Sequence, residues 1–278
     1  MWPSAEAAAR WTLRREIAPT GTGSGVNPVW LALIAAPIVG SFLGVLVVRL
    51  PEGEGVVLGR SRCRSCNNPL GPVDLVPLFG WLLRRGRCRY CGARISLLYP
   101  AIEIAAILVV VWAAPVVPGD ALWASAILGW TLVALAAIDL RVLILPDALT
   151  LPLAAIGLFM VWQMTPEALP SHVVGAGLGW MSFRLLAALY ARVRGRAGLG
   201  HGDAKLMAAA GAWVGWQALP TVVLFAALAA LAAVALSAGV GRRIDATTRI
   251  PFGPFLALGL WLTWLYGPLL PGPSALSW

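Results

Sequence analysis

The chain has 278 residues, of which 59% are apolar and only 12% charged, and its mean hydropathy is +0.81. Ordinary globular proteins carry about 25% charged residues, so this composition excludes a water-soluble body, which needs more polar surface to coat it. The net charge of +9 sits in short Arg- and Lys-bearing segments between apolar runs. That distribution belongs to a polytopic membrane protein and argues against nucleic acid as a partner, since no separate basic face is visible.

Residues 1–28 form an N-terminal extension with Arg10, Arg14 and Arg15. No apolar core follows these arginines until Val29, so the segment does not read as a signal peptide. Residues 29–50 are the first apolar run and predict the first transmembrane helix. Residues 51–96 are polar and Arg-rich and predict an insertion outside the bilayer. Further apolar runs follow at 97–116, 121–140, 147–164, 171–191, 204–217, 219–240 and 252–270, within a main membrane domain spanning 97–278. The predicted fold is therefore an all-α polytopic membrane protein of about eight transmembrane helices. Gly175, Gly177 and Gly179 in the fifth run are expected to let helices approach closely.

Loop charge sets the expected orientation. The 51–96 segment holds Arg60, Arg62, Arg64, Arg84, Arg85, Arg87, Arg89 and Arg94. Counting helices onward, its side also receives Arg141, then Arg192, Arg194 and Arg196, then Arg242, Arg243 and Arg249. The opposite turns hold Asp120 and Glu167 and no basic residue. The insertion is thus expected to be cytoplasmic and the N-terminus outside, with Arg10, Arg14 and Arg15 as the exception.

All four cysteines lie in the insertion, as Cys63-Arg-Ser-Cys66 and Cys88-Arg-Tyr-Cys91, with 21 residues between the pairs. Two such knuckles suit a tetrahedral four-thiolate site for zinc, closed and therefore structural. Free thiols or two disulfides are the alternatives, and a cytoplasmic position disfavours disulfides. The neighbouring arginines are expected to help keep the thiolates ionised, and a metal explains how a segment with few large apolar residues folds.

Acidic residues in an apolar helix are costly and point to function. Asp139 ends the third run and Asp203 opens the sixth, in GLGHGDAK. Both are expected at the cytoplasmic face, where a converging pair of carboxylates can share a proton and act on water and substrate together. Gly198, Gly200 and Gly202 permit a sharp turn and close approach of a substrate backbone. The bland alternative for Asp203 is a helix N-cap beside a surface Lys205. Asp147 reads as an N-cap of the fourth run and as a supporting residue. Glu103 pairs with an arginine or contacts substrate, His201 tunes an aspartate or is a solvated loop residue, and His172 is structural. Asp74 reads as a loop charge.

These residues resemble the bacterial type IV prepilin peptidases, of the Gly-x-Gly-Asp class of intramembrane aspartyl proteases. The resemblance runs from about Pro37 to Leu260 and rests on GSFLGVLVVRLP, RGRCRYCGARISLLYPAIE, AIDLRVLILPDALTLP, GLGHGDAK and IPFGPFLALG. It implies eight membrane helices with a cytoplasmic zinc-binding insertion, in the bacterial inner membrane. It implies that 97–278 is the peptidase domain and that prepilins or type II secretion pseudopilins are cut after a glycine ending a short basic leader. Asp139 and Asp203 match the catalytic pair, and Asp147, Gly200, Gly202 and Lys205 fall in the supporting motifs. Cys63, Cys66, Cys88 and Cys91 match members that also N-methylate the new N-terminus with S-adenosylmethionine. Two departures stand out: Gly44 replaces a frequent Asn, and Leu140-Arg141 follow Asp139 where a second acid is frequent. The Gly44 departure lies in the region linked to methyl transfer. The rival reading is a transporter or channel that relays ions through its aspartates, which predicts an internal inverted repeat; the sequence shows none.

Overall fold

The computed structural model describes residues 27–56, 60–117, 119–195, 200–239 and 251–269. Residues 1–26 of the N-terminal extension, Arg196, Gly198, Arg242, Arg243 and Arg249 lie outside these residues. Within them the secondary structure is helical, with two isolated bridges and no strand. The helices are α1 (Pro28–Arg49), α2 (Phe79–Leu83), α3 (Leu98–Ala113), α4 (Gly119–Val142), α5 (Asp147–Met164), α6 (Leu169–Arg194), α7 (His201–Val214), α8 (Leu219–Gly239) and α9 (Gly253–Tyr266). Each apolar run of the sequence is thus a helix. Five of them are long and apolar enough to cross a bilayer, while α3 and α9 are shorter apolar helices and α7 has 14 residues.

The helices form a bundle in which α1 packs on α3 and α4, and α9 packs on α4, α7 and α8. Helix α7 is enclosed by α5, α6 and α9, so nearly all its residues from Asp203 to Val214 are buried. Small residues make this enclosure possible. An added Cβ at Gly175 would stand 2.7 Å from the Gly211 carbonyl oxygen, and Gly179 abuts the Met207 carbonyl in the same way. Gly177 faces open space, so only two of the three α6 glycines serve packing. Buried indoles add polar ties. The N–H groups of Trp130, Trp213 and Trp264 donate to Ala106 O (2.9 Å), Leu153 O (2.8 Å) and Ser125 Oγ (2.8 Å), each on another helix.

Helix α7 starts at His201, three residues earlier than the apolar run suggests. Gly200 is its extended N-cap, with ψ of 148°, and Asp203 in the first turn accepts the Gly200 N–H at 3.1 Å. The helix stops at Gly215, whose φ of 75° is left-handed. At the end of the bundle away from the insertion, His172 is buried against the Ala212 carbonyl (3.0 Å) and is structural as expected.

Candidate active site and metal centre

Both aspartates are buried, at 5% and 8% exposure, and both lie at the end of the bundle that carries the insertion. Asp139 occupies the last turn of α4, and its Oδ2 accepts the N–H of Gly253 at 2.9 Å. That amide is one of the unsatisfied donors at the start of α9, where Pro254 completes a Gly-Pro helix entry. Asp203 accepts the Gly200 amide at the start of α7. Each carboxylate therefore uses part of its acceptor capacity on a helix-start amide. Leu145 packs between the glycines beside them: it contacts the Gly202 position, where an added Cβ would stand 2.7 Å from its Cβ, and the Gly253 position, at 3.2 Å from its Cδ2. Asp139, bonded to Gly253, and Asp203, next to Gly202, are thus brought to opposite sides of Leu145.

Around this pair the supporting residues have defined places. Asp147 is the first residue of α5, with Pro146 in the N-cap position, and it forms an ion pair with Lys205 of α7. It is therefore not an N-cap, and Lys205 is not a lone surface cation. Together they join the start of α5 to the turn that holds Asp203. An added Cβ at Gly200 would lie 3.1 Å from Asp203 Oδ2, so the absent side chain leaves that carboxylate room. His201 contacts the Arg184 guanidinium, which also stands over Trp180 (6.0 Å), and makes no bond to either aspartate.

Sequence reasoning missed Gly253 and Leu145 as site residues. The Gly-Pro entry of IPFGPF was a usable signal for a helix-start amide; nothing in the sequence marked its partner. A methyl group at Gly253 would stand 2.7 Å from Asp139 Oδ2 and 3.0 Å from its Cγ, so the carboxylate must move. On the catalytic role that the resemblance implies for Asp139, Gly253→Ala is expected to slow peptide cleavage about 100-fold while leaving the helix content intact, because a shift of about 1 Å at a reacting group costs that much. Rates with a precursor substrate and circular dichroism check this together.

The insertion closes on its cysteines. In each knuckle the first cysteine carbonyl accepts the N–H four residues on, Cys63 from Asn67 (2.8 Å) and Cys88 from Gly92 (2.9 Å). The chain reverses at left-handed Asn67 (φ 57°) and Gly92 (φ 70°). The amides of Ser65 and Tyr90 point at the sulfurs of Cys63 (3.4 Å) and Cys88 (3.5 Å). The four free thiols gather within 4.8 Å of one another, with Cys63–Cys91 at 3.8 Å and Cys66–Cys88 at 4.0 Å. A tetrahedron with metal–sulfur bonds of about 2.3 Å has edges of about 3.8 Å, so the donor set fits a single ion such as zinc. Amides, rather than arginines, favour the thiolate at Cys63: the Cys66 and Ser65 N–H groups lower its pKa to about 6. Three of the arginines are engaged elsewhere. Arg64 binds Glu52 through both ends (3.1 and 2.9 Å), and Arg84 and Arg89 flank Asp74 (3.3 and 3.6 Å). Asp74 is accordingly no loop charge, since its side chain is buried and also accepts the Gly71 amide (3.1 Å).

Glu103 ties the insertion to the bundle. It is buried in α3, accepts the Leu78 N–H at 2.7 Å, and among the described residues pairs with no arginine. Leu78 is left-handed (φ 61°), a strained conformation held by this bond. Glu103→Ala leaves that amide unpaired and is expected to cost about 1–3 kcal/mol, whereas Glu103→Gln keeps an acceptor and costs less. Thermal melting and limited proteolysis between 60 and 96 measure the difference.

Two family profiles cover most of the chain: a bacterial peptidase A24 N-terminal domain matches residues 34–116, and the type IV leader peptidase family matches 126–235. A prepilin leader peptidase/N-methyltransferase of Aeromonas hydrophila is 38% identical over 266 residues, 85% of this chain and 90% of that protein. The chain belongs to the type IV leader peptidase family. Proteins of the same description from Pectobacterium carotovorum (40% identical, 80% of this chain, 87% of that protein) and Burkholderia pseudomallei strain 1026b (38%, 85% and 84%) agree. No solved structure gives a significant match. With five membrane-capable helices, this leader peptidase family member is a multi-pass membrane protein.

Proposed function

We propose that this chain removes the leader from type IV prepilins or type II secretion pseudopilins at the cytoplasmic face of the bacterial inner membrane, and N-methylates the N-terminus so exposed. The observation that carries the peptidase reading is the gathering of two buried carboxylates, Asp139 and Asp203, at the insertion end of the bundle. In this reading one carboxylate takes a proton from water while the other, protonated, donates to the scissile amide. The Gly253 and Gly200 amides hold the two carboxyl groups in orientation. The apolar outer faces of the helices suit the hydrophobic segment of a membrane-bound precursor. Asp147 and Lys205 position the α7 start and take no part in proton transfer. The transporter reading has no support from the family the chain belongs to.

The four cysteines hold zinc as a structural clasp, since all four ligand places are filled by protein. The methyl-transfer half of the reading rests on the description of the relatives and on the cysteine insertion. S-adenosylmethionine, when bound, would supply its sulfonium methyl group to the neutral terminal amine, the S–CH3 bond breaking to leave the thioether S-adenosylhomocysteine and the amine losing a proton to water. The test is the mass of a pilin's N-terminus after incubation of its precursor with membranes containing the chain. Loss of the leader with gain of one methyl group is expected. An uncut precursor contradicts the peptidase reading, and a cut but unmethylated pilin contradicts the transferase reading alone.

A further inference from the structure

We propose that helix α2 and its flanks lie on the lipid leaflet at the insertion end of the bundle, with Phe79, Leu82 and Leu83 in the apolar boundary and Arg85 and Arg87 on anionic lipid phosphates. The partner is the bilayer surface, and the assignment is independent of the reactions proposed above.

Helix α2 turns its apolar side outward. Its five residues are FGWLL. Gly80 and Trp81 face the insertion. An added Cβ at Gly80 would stand 2.5 Å from the Asp74 carbonyl oxygen, and Trp81 Nε1 donates to the Ile95 carbonyl at 3.3 Å. Phe79, Leu82 and Leu83 are spaced i, i+3 and i+4, so they share one face. They are 64%, 66% and 71% exposed. Val73 and Val76, just before α2, and Leu97, just before α3, are exposed as well. An outward apolar face on an otherwise polar segment marks an interaction surface.

Depth selects lipid as the partner. Helix α3 has 16 residues, a rise of about 24 Å, against about 30 Å for the hydrocarbon core of a bilayer. It cannot hold both of its ends in water. Glu103 lies about 7.5 Å along α3 from Leu98. Its side chain, which points back toward the helix start, accepts the Leu78 N–H. Leu78 is therefore held level with the first turns of α3, and Phe79 follows it directly. The residue after Glu103 is Ile104, 48% exposed on the outside of the bundle. The apolar face of α2 thus continues the lipid-facing surface of α3.

Charge agrees with this placement. Between Asp74 and Glu103 the chain holds five arginines and no acidic residue. Arg85 and Arg87 directly follow the apolar face and are exposed. Apolar residues flanked by arginines are the pattern of an interfacial segment, which sinks its apolar face about 5–10 Å into the headgroup boundary. The arginines then meet the anionic phosphates of the leaflet.

The experiment places the photoreactive residue p-benzoylphenylalanine, one position at a time, in place of Phe79, Leu82 or Asn68 in the zinc-loaded full chain. Asn68 is exposed beside Asn67 in the first knuckle and is the water-facing comparison. Each protein is reconstituted in vesicles of phosphatidylethanolamine and phosphatidylglycerol, with and without a pilin precursor, and illuminated. All three positions are exposed, so the replacements leave the packing intact; zinc content and thermal melting check this. Mass spectrometry is expected to find phospholipid adducts at 79 and 82 and none at 68. Arg85→Gln with Arg87→Gln is expected to lower the yield at 82 in these vesicles and to leave it unchanged in phosphatidylcholine vesicles. Adducts to the precursor or to a second copy in place of lipid overturn the proposal. So does lipid labelling that is absent at 79 and 82, or equal at 68. An undiminished yield in the folded double arginine variant overturns the phosphate contact.

Discussion

Asp203→Asn and Asp139→Asn are each expected to lower the rate of precursor cleavage by about 10³-fold or more, the scale of losing a positioned general acid or base. The geometry makes these substitutions informative. Asn keeps a carbonyl oxygen that still accepts the Gly253 N–H at position 139, or the Gly200 N–H at position 203. The helix starts stay satisfied and the bundle stays packed, so the loss reports chemistry and not unfolding. Circular dichroism and thermal melting are expected to match the wild type. Asp147→Asn behaves differently: it weakens the ion pair to Lys205 at the surface, an interaction worth about 0–1 kcal/mol. It is expected to leave most of the cleavage rate.

The second large effect concerns the metal. Serine at Cys66 and Cys88 together is expected to reduce zinc from about one per chain to none and to unfold residues 60–96. The insertion has little else to hold it. Val73, Phe79, Leu82 and Leu83 are all more than half exposed, and Cys88 is among its few buried side chains. Zinc binding to such sites is worth about 10–16 kcal/mol in peptides, far more than this scant core supplies. Metal analysis and proteolysis of the insertion test the point, with the membrane helices expected to survive. A zinc-free protein whose insertion resists protease would contradict it.

Much of this architecture was legible in the sequence because membrane burial leaves a direct trace. Each apolar run became a helix, and the cysteine spacing anticipated a four-sulfur cluster. The aspartates stood out because an acid in an apolar segment is expensive. What local pattern cannot show is convergence. Gly253 meets Asp139 across 114 residues, and Leu145 fills the gap between two glycines on different helices. The start of α7 was misplaced because Gly200 and Gly202 weaken the apolar signal just where Asp203 caps the turn. The arginines of the insertion were read as thiolate partners from nearness in sequence, yet Glu52 and Asp74 bind Arg64, Arg84 and Arg89 more directly. Glu103 was ambiguous for a similar reason: its main donor is a backbone amide 25 residues away, which no side-chain pattern announces.

The central claim is that Asp139 and Asp203 act as one unit on one peptide bond. The most direct test is the single-turnover cleavage rate of a pilin precursor by purified Asp139→Asn, Asp203→Asn and the double variant. Groups that act together lose no more jointly than singly. All three variants are expected to fall to the same floor, with their folds intact. A folded Asp139→Asn protein that cleaves within about tenfold of the wild-type rate, a difference of only about 1.4 kcal/mol in barrier, would contradict the account.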